Sequence, residues 1–320
     1  MKPLVLALLV ASATSTAALS DEWPSRPVRM INTFSAGGTA DVLTRIAADH
    51  LSAVFKQQFY VETRPGAGGT IGVKAVADSP PDGYNFALTN VALLVLHPLD
   101  NPKLGYDPFK DLTNIAYLAG SPTIFAVSAK SGIKTMKEFV EYAKKSPRPL
   151  TYSSSGLGSS GHLVSETFAQ KTGIRIEHVP YKGAAQSLTD LAGGHIDFAA
   201  QTVSSTAALI RGGTLTALAH TGKTRFPDFP DVPTFKELGY DMVSTTWFSI
   251  SGPAGLPKDI AEKMNTEINR AIEAPGVQER LTRDGLVADP MTLDAFNKFI
   301  VSEMATWKPA LEHAGLIGKE

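Results

Sequence analysis

An octapeptide of mostly small residues, Phe34-Ser35-Ala36-Gly37-Gly38-Thr39-Ala40-Asp41, separates two apolar segments. The segment before it, 28–34, has the bulk and β-branching of a strand, whereas apolar residues after it recur at helical spacing from Val42 to Phe55. The octapeptide is therefore predicted to form a corner between a strand and a helix. Two adjacent glycines let a backbone and a guest molecule approach closely, and Thr39 and Asp41 suit the first turn of a helix.

Such a corner is a candidate anion site. The first N–H groups of a helix have no partner within the helix, and the positive end of the helix dipole lies beside them. A carboxylate or a phosphate therefore suits this position. The simpler interpretation is a glycine turn with an N-cap and no ligand, but the chain repeats the same pattern elsewhere.

Three further corners follow predicted strands. One lies at 64–70 after a strand at 59–62, another at 154–161 after a strand at 150–153, and the last at 180–185 after a strand at 175–179. Strands that alternate with helices predict parallel βαβ units, and open parallel sheets bind ligands beyond the carboxyl ends of their strands. If the two halves of the chain form separate lobes, the four corners are expected to meet across a cleft.

Two apolar segments are predicted to connect these lobes. The first, 115–127, is interrupted by Gly120-Ser121-Pro122 and is interpreted as one strand that leaves the first lobe and enters the second. The segment 243–251 is interpreted as the return. Trp247 and Phe248 lie in that return strand and suit either the floor of the cleft or the core. Helices at 257–273, 276–284 and 292–313, with no strand between them, are expected to complete the first lobe. The predicted division is residues 21–120 with 245–320 for lobe 1, and residues 121–244 for lobe 2.

Residues 1–20 have the pattern of an export signal, with Lys2, an apolar run at 4–11 and small residues up to Ser20. The apolar run is too short to span a bilayer, and cleavage after Ala18 and after Ser20 both satisfy a small-x-small rule. The mature protein is therefore predicted to be periplasmic.

Composition narrows the possible functions. The chain of 320 residues has no cysteine, which excludes thiolate chemistry and a lipid anchor. Lysine and arginine total 30 against 31 acidic residues, so nothing indicates a nucleic-acid surface. The seven histidines show no metal-binding spacing, and no metal or cofactor is predicted.

Two enzymatic alternatives remain at this point. The stretch Gly156–Gly161 matches the G-x-G-x-x-G fingerprint of an NAD-dependent dehydrogenase, with Glu177 further along the chain. The strand before it turns polar at Ser153-Ser154-Ser155, however, and an exported protein meets little free NAD.

Ser160 and His162 could act as the nucleophile and base of a hydrolase. A histidine beside a helix start more often binds a loop or lines a pocket.

Several motifs together resemble the Bug-type substrate-binding proteins of tripartite tricarboxylate transporters. They are Pro27 to Asp41, Arg64-Pro-Gly-Ala-Gly-Gly69, Asp82-Gly-Tyr84, Ser155-Gly156 with His162-Leu163, His178-Val-Pro-Tyr-Lys-Gly183, Asp231-Val-Pro-Thr234 with Glu237-Leu-Gly239, and Gly252-Pro-Ala-Gly255. The resemblance covers nearly the whole mature chain. It implies an α/β, type II periplasmic binding protein fold, in which two lobes with parallel-type sheets flanked by helices enclose a ligand cleft.

The resemblance also implies a function and a set of binding residues. A small organic carboxylate, such as a di- or tricarboxylate, is expected to be held mostly by main-chain N–H groups and ordered water, and then passed to membrane permease subunits. The protein is expected to be a monomer with no enzymatic activity. Carried over to this sequence, the ligand-binding residues are Phe34, Ser35, Ala36, Gly37, Gly38, Thr39, Asp41, Ala67, Gly68, Gly69, Thr70, Ser155, Gly156, Ser159, Ser160, His162, Tyr181, Gly183, Ala184 and Gln201.

One segment departs from the family pattern. After the strand that ends at Ala200, many relatives are more apolar or carry an acid or amide, whereas this chain has Gln201-Thr202-Val203-Ser204-Ser205. This segment is predicted to be a loop that meets the distal end of the ligand. Its hydroxyl groups favour a polar distal group.

Overall fold

A computed structural model describes residues 23–101 and 103–313 of the chain. The predicted export signal and its cleavage site lie outside these residues. No helix within the described ranges is both long enough and apolar enough to cross a membrane.

Eleven strands form two separate sheets within the described residues. In chain order they are β1 Val28–Asn32, β2 Phe59–Thr63, β3 Asn85–Asn90, β4 Leu112–Ser121, β5 Thr123–Ser128, β6 Leu150–Ser154, β7 Ile176–Pro180, β8 Phe198–Thr202, β9 Leu215–His220, β10 Thr246–Pro253 and β11 Val287–Ala288. The first sheet has the order β11-β4-β10-β3-β1-β2, and the second has the order β7-β6-β8-β5-β9.

The helices lie between these strands as the alternating pattern predicts. They are α1 Thr39–Phe55, α2 Thr70–Ala77, α3 His97–Asp100, α4 Met136–Lys145, α5 Ser160–Thr172, α6 Ala184–Gly193, α7 Val203–Arg211, α8 Lys258–Glu273, α9 Pro275–Arg283 and α10 Leu293–His313. Single turns of 3-10 helix occur at Ala67–Gly69 and Ala129–Ser131, and a π-helix at Ala92–Leu96 runs directly into α3. Helices α1, α2, α8 and α10 pack on the first sheet, and α5, α6 and α7 pack on the second.

We call each sheet with its helices a lobe, the first sheet belonging to the first lobe. Within each lobe the βαβ strands are parallel: β1 pairs in parallel with β2 and β3, and β6 pairs in parallel with β7 and β8. The strands next to the crossings between lobes are antiparallel to their neighbours, namely β10 against β3 and β4, and β5 against β8 and β9. The two-lobed α/β fold is therefore confirmed, with mixed rather than purely parallel sheets.

Three local predictions were wrong. The predicted strand at 115–127 is two strands, because Pro122 interrupts it and places Ser121 in the first sheet and Thr123 in the second. A short strand, β11, does lie between α9 and α10, and it pairs antiparallel with β4. The segment 201–205 is not a loop, since Gln201 and Thr202 end β8 and the next three residues begin α7.

Each lobe has its own aromatic core. In the second lobe, Phe125 packs against Phe168 and Phe198 with ring centroids 5.3 and 5.4 Å apart. In the first lobe, Trp247 is 1% exposed and its Nε1 donates a hydrogen bond of 2.8 Å to Glu303. Trp247 therefore belongs to the core, whereas its neighbour Phe248 points from the opposite face of β10 into the space between the lobes.

Candidate ligand-binding site

A cavity of about 40 Å³ lies between the two lobes. Its walls come from Phe34, Ser35, Gly38, Thr39, Ala40, Asn90, Thr123, Ser155, Ser159, Ser160, Gly161, Gly183, Ala184, Ala200, Gln201, Thr202, Thr246 and Phe248. None of these side chains is charged. Because one water molecule needs roughly 10–15 Å³ on this measure, the cavity has room for one carboxylate group or a few waters. A complete dicarboxylate is larger, so its binding requires the lobes to lie slightly further apart than they do here.

The first corner brings the start of α1 to the cavity. Gly37 has φ +86°, a conformation that glycine adopts without strain, and its N–H donates to Asp41 Oδ2 at 3.1 Å. Asp41 Oδ1 accepts a further hydrogen bond from Arg45 Nε at 3.1 Å. Asp41 therefore stabilises the turn instead of lining the cavity. No side chain caps α1, so the N–H groups of Thr39 and Ala40 stay available at the cavity wall.

The second lobe contributes two more helix starts. At α5, the Ser159 hydroxyl accepts from His162 N at 3.3 Å, and the next two residues, Ser160 and Gly161, line the cavity. At α6, the N-cap is Gly183 with φ +152°, and no side chain caps the helix. A Cβ atom at Gly183 would overlap Ser35 Oγ of the first lobe, so this contact requires glycine.

The starts of α1, α5 and α6 thus meet around one cavity whose walls carry no charged side chain. Each start presents N–H groups and the positive end of a helix dipole. An anion bound here would be the sole formal charge inside the cavity. The arrangement therefore favours a small anion such as a carboxylate over a cation.

Two hydroxyl groups in the cavity wall have no hydrogen-bond partner among the described residues. They are Ser35 Oγ of the first lobe and Ser160 Oγ of the second, and both atoms are buried. A buried polar group without a partner costs roughly 1–3 kcal/mol, and such groups usually bind a ligand or an ordered water. Their presence on opposite walls indicates that a polar guest completes the site.

The cavity is also lined by residues near the two crossings, and of these the sequence analysis had offered only Phe248, as a possible floor of the cleft. Asn90 ends β3, Thr123 begins β5, and Thr246 and Phe248 lie at the start of β10. These positions adjoin the two crossings of the chain between lobes. The crossings themselves were predictable, but the pattern of the sequence does not show which side chains at the crossings face the cavity.

Gln201 has a fixed orientation in the wall. Its Oε1 accepts from Ser155 Oγ at 2.7 Å, and its Nε2 donates to Ser187 Oγ at 2.9 Å. Both ends of the amide are therefore occupied within the second lobe. Gln201 shapes the cavity and orients the Ser155 hydroxyl.

The expected binding residues divide into two sets. Those that line the cavity are Phe34, Ser35, Gly38, Thr39, Ser155, Ser159, Ser160, Gly183, Ala184 and Gln201. The others, Ala36, Gly37, Asp41, Ala67, Gly68, Gly69, Thr70, Gly156, His162 and Tyr181, are outside its lining. The corner at 64–70, in particular, packs against the corner at 154–161 of the other lobe.

The lobes are in direct contact around the cavity. Ser35 N donates to Lys182 O at 2.9 Å, and Thr39 Oγ1 lies 2.9 Å from Thr202 Oγ1 and 2.5 Å from Ser204 Oγ. A Cβ atom at Gly156 would lie 3.2 Å from Gly68 Cα across the interface. The structure is therefore a closed arrangement of the two lobes.

His162 supports a corner. Its Nδ1 accepts from Gly158 N at 3.1 Å, and its ring stacks on His178 with centroids 4.4 Å apart. Burial lowers the pKa of His162 below the ordinary histidine value, and burial lowers the pKa of His178 to about 4. Ser160 Oγ has no partner among the described residues, so the paired nucleophile and base of a hydrolase are not formed.

The G-x-G-x-x-G stretch also has a packing role. A Cβ at Gly161 would overlap the carbonyl oxygen of Ala200, and Gly156 lies against Gly68 of the other lobe. The space that a pyrophosphate would need beside Gly156 is therefore filled by protein in this arrangement. Within the described ranges, no three His, Cys, Asp or Glu side chains group closely enough to hold a metal ion.

Two α/β lobes that close on a cavity of helix starts define a periplasmic binding protein of type II. The chain belongs to the TctC family, described as the tripartite tricarboxylate transporter family receptor, whose sequence model matches residues 43–316. This confirms the resemblance to Bug-type proteins, which also include the solved neighbour BugD.

Three solved structures illustrate the similarity. The periplasmic binding protein BugD has 28% identity and a TM-score of 0.88, over 92% of this chain and 99% of that chain. Rpa4515 of R. palustris, solved with adipate, has 31% identity and a TM-score of 0.88 over the same shares, 92% and 99%. MatC of Rhodopseudomonas palustris, solved with bound malate, has 25% identity and a TM-score of 0.85 over 90% of this chain and 99% of that chain.

Proposed function

We propose that this protein captures a small organic carboxylate between its lobes in the periplasm and delivers it to the membrane permease of a tripartite tricarboxylate transporter. The observation that carries the proposal is the meeting of three helix starts around a cavity without charged side chains. Two structural neighbours solved with adipate and with malate support a carboxylate as the ligand. The permease is proposed from the family to which the chain belongs.

The binding roles follow the geometry. We assign one ligand carboxylate to the N–H groups at Thr39 and Ala40 of the first lobe and at Ser160, Gly161 and Ala184 of the second. The Ser35 and Ser160 hydroxyls are assigned as additional donors, because they lack other partners among the described residues. The distal part of the ligand then faces Asn90, Thr123, Thr246 and Phe248.

The expected strength of binding follows from these donors. Hydrogen bonds to a charged acceptor contribute roughly 1.5–3 kcal/mol each. Three or four of them in a closed cavity reach about micromolar affinity after the cost of ordering the ligand and the lobes. The protein is proposed to act as a monomer, with the lobes close to the predicted division of 21–120 with 245–320 and 121–244, except that Ser121 ends β4 in the first sheet.

A thermal-shift screen tests the proposed ligand class. We expect at least one acid from a panel of monocarboxylates, malate, adipate and citrate to stabilise the protein. At about 100 times its dissociation constant it adds about 2.7 kcal/mol, or about 5 °C in Tm. The matched diamides, such as adipamide beside adipate, are expected to give no shift. Equal shifts from the amides, or stabilisation by NAD alone, would contradict the proposal.

Export is tested by the mass of the natural protein. We expect the protein recovered from a periplasmic extract to lack its first 18 to 20 residues, because the charged start, the apolar run and the small-residue end form one coherent signal. Intact-mass measurement distinguishes cleavage after Ala18 from cleavage after Ser20. A chain that retains Met1 in that fraction would show that the signal was misread.

A further inference from the structure

His97 joins the two lobes through a backbone group. It is the first residue of α3 in the first lobe, and only 7% of its surface is exposed. Its Nε2 lies 3.1 Å from the carbonyl oxygen of Leu157, which belongs to the corner between β6 and α5 in the second lobe. Because a carbonyl oxygen only accepts, the imidazole donates this hydrogen bond and Nε2 carries the proton.

The imidazole fits between two glycines, one from each lobe. A Cβ atom at Gly68 would lie 2.7 Å from His97 Cε1, and a Cβ atom at Gly158 would lie 2.5 Å from His97 Nε2. Both glycines have positive φ, +65° and +69°, which larger residues rarely adopt. The ring can reach Leu157 only because neither position carries a side chain.

The same corner is held from its own lobe by His162. His97 binds the carbonyl of Leu157 from the first lobe, and His162 Nδ1 accepts from the N–H of the next residue, Gly158, at 3.1 Å. Ser159 and Ser160 follow directly and form the start of α5 at the cavity. The corner that presents α5 to the cavity is therefore fixed by one imidazole from each lobe.

We propose that His97 is a positioning residue that holds the lobes in the closed arrangement by binding the Leu157 carbonyl. Its effect on ligand affinity rests on the proposed function, whereas its effect on closure does not. When the lobes separate, this hydrogen bond is lost and the imidazole is exposed to water. His97 therefore adds to the free energy of closure without touching the ligand.

Protonation of His97 gives a second readout. Burial lowers the pKa of His97 below the ordinary histidine value, and the charge of His162 acts in the same direction. The hydrogen bond to Leu157 and the nearby Asp100 carboxylate partly oppose this shift. The closed lobes thus favour the neutral imidazole, and we expect separation of the lobes to relieve the part of this shift that comes from burial against the second lobe. The contribution of His97 to closure is therefore largest at a pH where the imidazole is neutral in both arrangements. It weakens as the pH falls and the imidazole of the open protein becomes protonated.

The test compares His97→Ala with His97→Gln. Glutamine places an amide N–H close to the position of Nε2 but does not titrate, so it separates the hydrogen bond from the charge. With malate or adipate, whichever stabilises the wild type more, we expect His97→Ala to bind about tenfold more weakly, and His97→Gln to restore most of the affinity. Lowering the pH from 7.5 to 5.5 should weaken the wild type more than His97→Gln.

Closure itself is measured by pulsed electron resonance between spin labels. The chain has no cysteine, so Ala53→Cys on α1 and Glu141→Cys on α4, both exposed, give one labelled site per lobe. We expect His97→Ala to lower the closed fraction, His97→Gln to restore it, and His195→Ala, at an exposed histidine of the second lobe, to leave it unchanged. A closed fraction in His97→Ala equal to that of the wild type overturns the inference, as does a His97→Gln variant that behaves like His97→Ala. A third outcome would contradict the proposed function alone. In that outcome no carboxylate changes the label distance of the wild type, while His97→Ala still lowers the closed fraction.

Discussion

Gly38→Asp is expected to abolish carboxylate binding and to leave the protein folded. Gly38 is the N-cap of α1, with φ −94° and ψ 178°, a backbone conformation open to any residue. A Cβ atom there would lie 3.7 Å from Ala184 Cβ, which is ordinary contact. Aspartate is a favoured N-cap, so its side chain accepts from the N–H groups of the first turn and stabilises the helix.

The same substitution takes the donors away from the ligand. The new carboxylate occupies the N–H groups that are assigned to the bound acid, and its charge repels that acid in a cavity that holds no cation. We expect affinity to fall by at least about a hundredfold, or about 2.7 kcal/mol, while Tm stays equal or rises. Calorimetric titration with the best acid from the panel measures the loss.

Two variants at the same position separate charge from space. Gly38→Asn caps the helix without charge and should retain more affinity than Gly38→Asp, and Gly38→Ala should be the mildest of the three because a Cβ has room. Near-normal affinity in Gly38→Asp would remove the first corner from the binding site.

Gly156→Asp is expected to weaken binding for a different reason. Gly156 and Gly38 are both among the binding residues that the family resemblance implies, but Gly156 lies outside the cavity lining. Its φ is +134°, and a Cβ atom would lie 3.2 Å from Gly68 Cα and 3.3 Å from Tyr181 O. A side chain at this position strains the corner and prevents the two lobes from meeting there.

The consequence is a protein that cannot close. We expect Gly156→Asp to lose at least about tenfold in affinity and roughly 1–3 kcal/mol in stability, and Gly156→Ala to lose nearly as much, because the conflict is steric. Small-angle scattering should show that ligand reduces the radius of gyration of the wild type but not of Gly156→Asp. If ligand still reduced the radius of gyration of Gly156→Asp, anion repulsion at Gly156 would be the better explanation. The same would hold if Gly156→Ala lost little affinity while Gly156→Asp lost much.

The strand and helix order was accessible from the sequence because it depends on local periodicity. Residues 28–55 contain a strand, a glycine corner and a helix start that each follow from neighbouring residues. The same reasoning placed the crossing near 115–127 and found the interruption at Gly120-Ser121-Pro122, but not that this interruption divides the segment between two sheets. The two-residue strand β11 was missed because its pairing with β4 is entirely non-local.

What the sequence by itself determined is the two-lobed fold, the four corners and the family, because these depend on spacing within short segments and on motifs in a fixed order. Only the tertiary structure decided which corners line the cavity and which pack against the opposite lobe. The corner at 34–41 faces the cavity, whereas the corner at 64–70 packs against the opposite lobe, although both are glycine-rich turns that lead into a helix. Likewise, Asp41 holds a turn and His97 reaches across to Leu157. The physical reason is that a side chain's role depends on what the other lobe places beside it, and contacts between residues distant in the chain leave no local pattern.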